Sequence, residues 1–363
     1  MSTMSVMHHC LRRVPAVVTK LLSLRLTSFD YPRLTMSCSR PKPKVLVTRS
    51  DYLPASVDVL KDHFEVEIWD NVKNGNIKKE KLIDLIKGKF GIYCCSGDKI
   101  DEDVIKAGVP SLKVVSTMSV GLDHLNLKTL KDNNVRVGYT PEVLTEATAE
   151  LTVALLLATS RRLIEASNIV KTGGWISWSP QWLCGQGLHG STVGIVGYGR
   201  IGHSIAVKLK AFGVEKILYT SRTEKATATG IGALRVDLDR LVQTSDFVVV
   251  SIALTPETEG IISRSIIAQM KKNAIFVNSG RGGLVDQEAL IEALKEKRIL
   301  AAGLDVMTPE PVTVDHPLQK LDNCVLLPHI GSATIKSRKD MAFLAANNII
   351  AVLKGSSMPA EYL

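Results

Sequence analysis

Residues 191–222 read STVGIVGYGRIGHSIAVKLKAFGVEKILYTSR. An apolar, β-branched run leads into Gly197-Tyr198-Gly199-Arg200-Ile201-Gly202, a helical pattern follows, and a second apolar run ends near Tyr219. The order strand, glycine turn, helix, strand is the context in which a GxGxxG match indicates a dinucleotide site. The first glycine permits the tight turn, the second lets a pyrophosphate approach the main chain, and the third lets the helix lie close to its strand. We therefore expect dinucleotide contacts from Gly197, Gly199, Arg200, Ile201 and Gly202.

The end of the second strand predicts which dinucleotide binds. NAD sites usually carry Asp or Glu about 20 residues after the glycine turn, where the carboxylate binds the ribose 2′-hydroxyl. Here that position reads Ser221-Arg222-Thr223. A guanidinium flanked by two hydroxyl groups suits a 2′-phosphate, so the sequence predicts NADPH, with NADH as the weaker alternative. Glu224 would take the acidic role if the strand ran further than we expect.

Length and composition fit two globular domains. The chain has 363 residues, of which 45% are hydrophobic, enough for sizeable cores. No apolar run approaches the roughly 18 residues of a membrane helix. The six cysteines show no CxxC spacing, which predicts free thiols in a reducing compartment, a cytoplasmic location and no metal site.

The basic charge is concentrated at the N-terminus. The formal net charge is +9, yet residues 1–43 hold seven Lys or Arg residues against a single acid, Asp30. The remainder is nearly balanced, so neither nucleic-acid binding nor membrane binding is expected. The acid-poor, Arg- and Ser-containing tail is typical of a mitochondrial transit peptide. It is equally compatible with a disordered extension that carries no address, and Met36 offers an internal start.

Strand and helix patterns alternate along the rest of the chain. This alternation predicts an α/β fold with two Rossmann-like, doubly wound parallel-sheet domains. We expect a dinucleotide-binding domain at residues 144–335, inserted into a discontinuous substrate domain of residues 44–143 and 336–363. One long helix is predicted from about Thr148 through Val170, stopped by Gly173-Gly174.

Three polar residues follow apolar runs in the second half of the chain. Arg281 follows IFVNSG, Glu310 follows LDVMTP, and His329 follows VLLP. Each alone would be an ordinary loop residue, but the carboxyl ends of parallel strands line one ligand crevice. Together they suit carbonyl reduction: the guanidinium clamps substrate, the histidine transfers a proton, and the carboxylate orients the ring.

These motifs resemble those of the D-isomer-specific 2-hydroxyacid dehydrogenases, and the likeness covers nearly everything after residue 43. It rests on VGIVGYGRIG (193–202), NSGRGGLVD (278–286), the stretch from Gly303 to Pro311, and PHIGSAT (328–334). Further similarity in STMSVGLDH (116–124), RVGYTP (136–141) and GGWISW (173–178) points to the branch of the family that reduces glyoxylate and hydroxypyruvate. The resemblance implies NADPH-dependent hydride transfer to these small 2-oxoacids.

The resemblance also implies roles for further residues. Val120 and Gly121 would offer main-chain amides to the substrate carboxylate, and Ser332 would lie beside Arg281 and His329 in the substrate site. The nicotinamide side would be lined by Ala253, Ser279, Asp305 and Gly331, with Asp305 accepting from the carboxamide.

The segment 173–190 contains three of the four tryptophans, Trp175, Trp178 and Trp182. A loop this aromatic is unfavourable in water, so the sequence predicts a homodimer in which the loop packs on a partner subunit. The resemblance implies that Trp178 reaches the neighbouring substrate pocket. The alternative is burial within its own chain.

Two other functions stay open. One is a sister dehydrogenase for another 2-oxoacid, of the phosphoglycerate type. The other is a non-catalytic dinucleotide sensor, like the corepressors that share this fold.

Overall fold

Two parallel β-sheets form the framework of residues 41–363, the part of the chain that this computed structural model describes. The predicted transit peptide, its alternative as a disordered extension and the start at Met36 fall on residues outside that part. Every strand pair in both sheets is parallel, an arrangement that requires crossover helices covering the faces. The predicted α/β class with two doubly wound parallel sheets is confirmed.

The first sheet is built from residues 44–138. Its elements are β1 (Lys44–Val47), α1 (Pro54–His63), β2 (Glu65–Ile68), α2 (Lys79–Ile86), β3 (Gly91–Cys94), α3 (Glu102–Gly108), β4 (Val114–Thr117), α4 (Leu127–Asp132) and β5 (Arg136–Gly138). The strands stand in the order β2-β1-β3-β4-β5. Leu46 and Val115 belong to the core on one face, and Val45 and Val114 to the core on the other, because successive strand residues point to opposite faces.

Two helices connect the sheets: α5 (Thr145–Ser160) and α6 (Leu163–Lys171). The predicted single helix from about Thr148 through Val170 is therefore wrong. Arg162 adopts a left-handed backbone with φ of 54°, which ends the right-handed helix. The carbonyl of Ser160 accepts the N–H of Gln186 at 2.9 Å, so the returning chain takes the place that a continuing helix would need.

The second sheet is built from residues 192–326. Its elements are β6 (Thr192–Val196), α7 (Arg200–Ala211), β7 (Lys216–Thr220), α8 (Ala226–Thr229), β8 (Leu234–Arg235), α9 (Leu238–Thr244), β9 (Phe247–Val250), α10 (Arg264–Ala268), β10 (Ile275–Asn278), α11 (Gln287–Lys295), β11 (Ala301–Leu304) and β12 (Cys324–Leu326). The strand order is β12-β11-β10-β9-β6-β7-β8. Val248 and Val250 enter one core, and Phe247 and Val249 the other. The apolar patterns predict no element between β7 and β9, where α8, β8 and α9 lie.

The last helix, α12 (Ile335–Leu353), returns to the first sheet. Ala345 and Ile349 share a core with the strands of that sheet. The buried Asn348 donates to the carbonyl of Tyr139 at 3.1 Å and accepts the N–H of Ala360 at 3.0 Å. This return agrees with the idea of a discontinuous first domain; the domain boundaries themselves stay a prediction.

Some features are absent from residues 41–363. No helix there is both long and apolar enough to cross a membrane. No group of three or more His, Cys, Asp or Glu side chains is placed to hold a metal ion. The cysteines at positions 94, 95, 184 and 324 are free thiols.

Candidate active site

One cleft collects the three residues that the sequence singled out for catalysis. Arg281, Glu310 and His329 follow β10, β11 and β12, which are neighbours in the second sheet. Since the carboxyl ends of parallel strands meet at one edge, the loops that follow them converge there. All three side chains line a cleft of about 350 Å³. The first sheet contributes Asn76, Ser96, Gly97 and Asp123 to the same lining.

His329 and Glu310 form a hydrogen-bonded pair inside this cleft. The Nδ1 of His329 lies 2.8 Å from Oε2 of Glu310, and Oε1 of Glu310 accepts the N–H of Met307 at 3.0 Å. Burial alone would raise the pKa of Glu310, but the hydrogen bond and charge of His329 hold that pKa below its usual value. The carboxylate is therefore ionised and fixed. Nε2 is the ring nitrogen left to meet a ligand.

The main chain at His329 is held by Asp305. His329 has φ of 54°, a left-handed conformation that is uncommon outside glycine. The N–H of His329 donates to the carbonyl of Asp305 at 2.9 Å. Both carboxylate oxygens of Asp305 accept the next two main-chain N–H groups, from Ile330 and Gly331, each at 2.8 Å. Asp305 is 1% exposed, and burial raises its pKa although the two N–H groups act in the opposite direction. Its three hydrogen bonds anchor the histidine loop. Its contact with a carboxamide stays a prediction.

Arg281 is held by a residue of the other sheet. Its Nε donates to Oδ1 of Asp123 at 3.0 Å, and its Nη1 donates to the carbonyl of Gly280 at 2.9 Å. A Cβ built on Gly121 would lie only 2.0 Å from Nη2. The guanidinium therefore lies against the main chain of Gly121, and neither N–H of Nη2 has a partner in the described part of the chain.

The loop that carries Val120 and Gly121 rests on a buried polar network. Ser119 Oγ donates to the carbonyl of Gly121 at 2.8 Å and lies 2.9 Å from Thr117 Oγ1, which in turn lies 2.9 Å from Nε2 of His124. Burial lowers the pKa of His124 to about 4, so the ring is neutral at physiological pH. The network fixes the backbone of this loop without adding charge beneath it.

The glycine turn between β6 and α7 fits a dinucleotide pyrophosphate. Gly197 has φ of 95°, and a Cβ on it would lie 2.7 Å from Cα of Ile252. A Cβ on Gly202 would lie 2.2 Å from the carbonyl oxygen of Gly197, whereas one on Gly199 would meet nothing within 4 Å. Side chains are thus excluded at the first and third glycines, and the second leaves open space at the N-terminus of α7, where an anion can approach main-chain N–H groups.

The other two residues of the turn differ in environment. Arg200 extends from the surface, and its Nη2 lies 3.0 Å from Oε1 of Glu142. Ile201 is half-buried and packs against the core behind β6. Their contacts with a dinucleotide stay predictions.

The loop predicted to select the cofactor follows β7, which ends at Thr220. Arg222 is exposed two residues beyond that end, and Glu224 is exposed four residues beyond it. Ser221 Oγ donates to the carbonyl of Thr223 at 2.5 Å. Because the strand stops where the sequence predicted, the arginine and not the glutamate is nearest to it.

The residues expected on the nicotinamide side lie at the same sheet edge. Ala253 follows β9, and its carbonyl accepts the hydroxyl of Thr258 at 2.7 Å. Ser279 directly follows β10, and its Oγ accepts the hydroxyl of Thr152 at 2.8 Å. Ser332 is half-buried beside the buried Gly331. Their positions agree with the expected roles, which stay predictions.

Trp178 lies outside this cleft. It is 78% exposed, and Ile176 beside it is 94% exposed. Other large apolar side chains of residues 163–182 are also exposed, namely Leu163, Ile164, Val170, Trp175 and Trp182. We call these residues, with Ile176 and Trp178, the apolar arm. Burial of this arm within its own chain, the alternative left open by the sequence, is not what the structure shows.

The sequence patterns did not point to Asp123, His124 or Arg235. Asp123 lies in the STMSVGLDH stretch that carried the resemblance, but nothing local marks it as the partner of an arginine 158 residues away. Arg235 forms the end of a two-residue strand, which is too short for an apolar pattern to reveal.

Comparisons with known proteins agree with this geometry. Residues 153–331 match the family model for the NAD binding domain of D-isomer specific 2-hydroxyacid dehydrogenases. A glyoxylate reductase/hydroxypyruvate reductase from Mus musculus is 52% identical over 298 residues, which cover 82% of this chain and 90% of that protein. The protein of the same name from Homo sapiens is 50% identical over 298 residues with the same coverage. A glyoxylate reductase from Thermofilum pendens is 44% identical over 321 residues, covering 88% of this chain and 94% of that protein.

Solved structures show the same likeness. The TT0316 protein from Thermus thermophilus superposes with a TM-score of 0.81 at 40% identity and covers 88% of this chain and 100% of that one. An NADPH-dependent glyoxylate/hydroxypyruvate reductase from Sinorhizobium meliloti, solved with NADP and malonate, gives a TM-score of 0.77 at 29% identity, covering 88% of this chain and 97% of that one.

Proposed function

This chain belongs to the D-isomer-specific 2-hydroxyacid dehydrogenases, and we propose that it reduces glyoxylate to glycolate and hydroxypyruvate to D-glycerate with NADPH. The relatives, which are glyoxylate or hydroxypyruvate reductases by name, support the substrate class. The observation that carries the proposal is the convergence of Arg281, Glu310 and His329 on one cleft, with the histidine bonded to the carboxylate at 2.8 Å.

The substrate is held by charge and main-chain donors. The carboxylate of the 2-oxoacid binds the amides of Val120 and Gly121, next to Nη2 of Arg281. The same guanidinium reaches the 2-oxo oxygen, because the fork of an arginine can serve two acceptors at once. Ser332 completes the site from the loop that follows His329.

The proton comes from the histidine. The bound reduced nicotinamide supplies the hydride. The Nε2 of His329 donates its proton to the 2-oxo oxygen as that oxygen gains charge, and takes the proton back in the reverse direction. The hydrogen bond between Nδ1 and Glu310 keeps the ring oriented, so that Nε2 is the nitrogen turned toward the 2-oxo oxygen.

The cofactor site extends along the carboxyl edge of the second sheet. The turn formed by Gly197, Gly199, Arg200, Ile201 and Gly202 would hold the pyrophosphate. Ala253, Ser279, Asp305 and Gly331 would line the nicotinamide. Ser221, Arg222 and Thr223 would hold the adenosine ribose, and the cation in that loop is the reason to prefer NADPH over NADH.

The enzyme works as a homodimer through the apolar arm. Side chains as exposed as Ile176 and Trp178 gain by burial on a partner subunit. Trp178 then reaches the substrate cleft of the partner. The free thiols at positions 94, 95, 184 and 324 favour a reducing compartment, the cytoplasm. Import into mitochondria would depend on the basic tail, outside the described residues.

A panel of 2-oxoacids tests the proposal. Oxidation of NADPH and of NADH is followed with glyoxylate, hydroxypyruvate, pyruvate and 3-phosphohydroxypyruvate. The proposal expects the highest kcat/KM with NADPH and the two small acids. A preference for the phosphorylated acid would favour the sister dehydrogenase, and cofactor binding without turnover would favour a sensor.

A further inference from the structure

Arg235 occupies a special place at the edge of the second sheet. It is the last residue of β8, the edge strand, and it pairs in parallel register with Tyr219 of β7. Since the two strands run in the same direction, the end of β8 lies beside the loop that follows β7. The side chain of Arg235 thus starts next to Ser221-Arg222-Thr223.

The guanidinium of Arg235 binds two consecutive carbonyls of that loop. Nε donates to the carbonyl of Ser221 at 2.9 Å, and Nη2 donates to the carbonyl of Arg222 at 3.0 Å. The rigid planar fork of a guanidinium is suited to two such bonds side by side. The contact fixes the peptide planes on both sides of Arg222, and so limits the directions in which the Arg222 side chain can leave the loop.

The same contact also makes the 221–223 loop more favourable for an anion. Two carbonyl oxygens, which would repel a phosphate, are covered by a guanidinium. Nη1 of Arg235 has no hydrogen-bond partner among residues 41–363, and none of the ion pairs in that part of the chain uses Arg235 or Arg222. The charge of Arg222 acts on the exposed Glu257 and contributes to lowering the pKa of that carboxyl, but neither guanidinium is held by a carboxylate contact, so both can turn to a dianion, which attracts nearby guanidinium groups strongly.

We propose that Arg235 is a second determinant of cofactor choice, which orders the 221–223 loop and adds a positive charge for the ribose 2′-phosphate. The inference rests on the proposed NADPH preference and extends it, because that preference named only residues of the loop itself. The ligand class is an adenosine nucleotide that carries a 2′-phosphate.

Calorimetric titration of the full-length protein tests this, with adenosine 2′,5′-bisphosphate and 5′-AMP as probes. The two probes differ only in the 2′-phosphate. We expect R235A to bind the bisphosphate about tenfold more weakly, the size of one lost charge-assisted contact, while 5′-AMP binding stays within about twofold. R235K, which keeps the charge but not the fork, should lose about threefold.

Lys216 provides the matched control. It begins β7 at the end of the strand away from the loop and is exposed, and within residues 41–363 its one ion-pair partner is Glu215 at 3.6 Å. K216A removes one positive charge from the same strand and should leave both affinities within about twofold.

The possible failures are distinguishable. If the wild type binds the bisphosphate no more tightly than 5′-AMP, the NADPH preference itself is wrong, and this inference with it. If the wild type prefers the bisphosphate and R235A keeps that preference undiminished, the NADPH proposal stands and the role of Arg235 is rejected. Equal weakening of both probes by R235A would also reject it, because a general defect of the loop explains that result.

Discussion

Asp123 and Arg281 form an ion pair that joins the two sheets at the active-site cleft, with Nε of the arginine 3.0 Å from Oδ1 of the carboxylate. Both side chains are largely shielded, at 20% and 25% exposure. Asp123 follows β4 in the first sheet, and Arg281 follows β10 in the second. The position of the Arg281 guanidinium in the cleft is thus fixed by a contact between the two sheets.

Removal of this carboxylate tests the idea. We expect D123A to raise KM for hydroxypyruvate about tenfold, since a charge-assisted hydrogen bond that orients Arg281 is lost. D123N keeps an acceptor for Nε and should recover most of the loss. KM for NADPH should not change. Steady-state kinetics of the wild type, D123A and D123N measure KM for hydroxypyruvate and KM for NADPH.

An exposed carboxylate serves as the control. Asp103 pairs with Lys79 on the surface of α3, away from the cleft. D103N should behave as the wild type does. If D123A left KM for hydroxypyruvate unaltered, Asp123 would have no part in placing the clamp.

Buried His124 predicts a pH dependence of stability. Burial lowers its pKa from 6.5 to about 4 in the folded protein, so the unfolded chain takes up the proton first as the pH falls. The contribution of neutral His124 to the free energy of unfolding is therefore fully present above pH 6.5 and is lost between pH 6.5 and about 4. The loss is about 3 kcal/mol at most. Denaturant unfolding at several pH values should show the H124Q variant losing less stability than the wild type over that range. H189Q, at an exposed histidine, should lose as much as the wild type, and a wild-type slope in H124Q would contradict the account.

The apolar arm predicts the oligomeric state. Ile176 is 94% exposed, and a charge at that position would be buried without a partner in a dimer interface. We expect I176D to convert a dimer to a monomer in light scattering coupled to size exclusion. V314D, at an exposed apolar residue outside the arm, should leave the mass unchanged. A wild-type protein of monomeric mass would reject the interface.

The proposed cofactor choice predicts that Arg222 matters for NADPH and that the neighbouring Glu224 does not matter for NADH. R222A should raise KM for NADPH at least about tenfold and leave KM for NADH almost unchanged, because only the phosphorylated ribose needs the cation. E224Q should leave KM for NADH unchanged, since Glu224 lies four residues beyond the end of β7. Equal effects of R222A on both cofactors would argue against phosphate recognition.

Much of the site follows from local sequence. Short stretches of sequence identify the glycine turn, the β-branched strands and the residues that follow each strand. The parallel topology then brings the strand ends together. From sequence alone, these rules predict that Arg281, Glu310 and His329 share one cleft. The break between α5 and α6 does not follow, because Arg162 takes a conformation that sequence assigns to glycine.

The contacts that hold the site in place lie beyond such rules. Asp123 meets Arg281 across 158 residues of chain, and Arg235 binds the 221–223 loop from a strand of two residues. His124 is buried within its own domain, and no periodic pattern in the sequence predicts that burial. Each of these three features depends on how distant elements pack together, which short stretches of sequence do not reveal.

Substitution of His329 tests the central claim most directly. We predict that H329A lowers kcat for hydroxypyruvate by a factor of about 10² to 10⁴, the contribution of a positioned acid, while NADPH affinity, measured by fluorescence titration, stays within about twofold. H63Q, at a histidine outside the cleft lining, should match the wild type in both. Turnover of H329A near the wild-type rate, with hydroxypyruvate at saturation, would contradict the assignment of His329 as the proton donor.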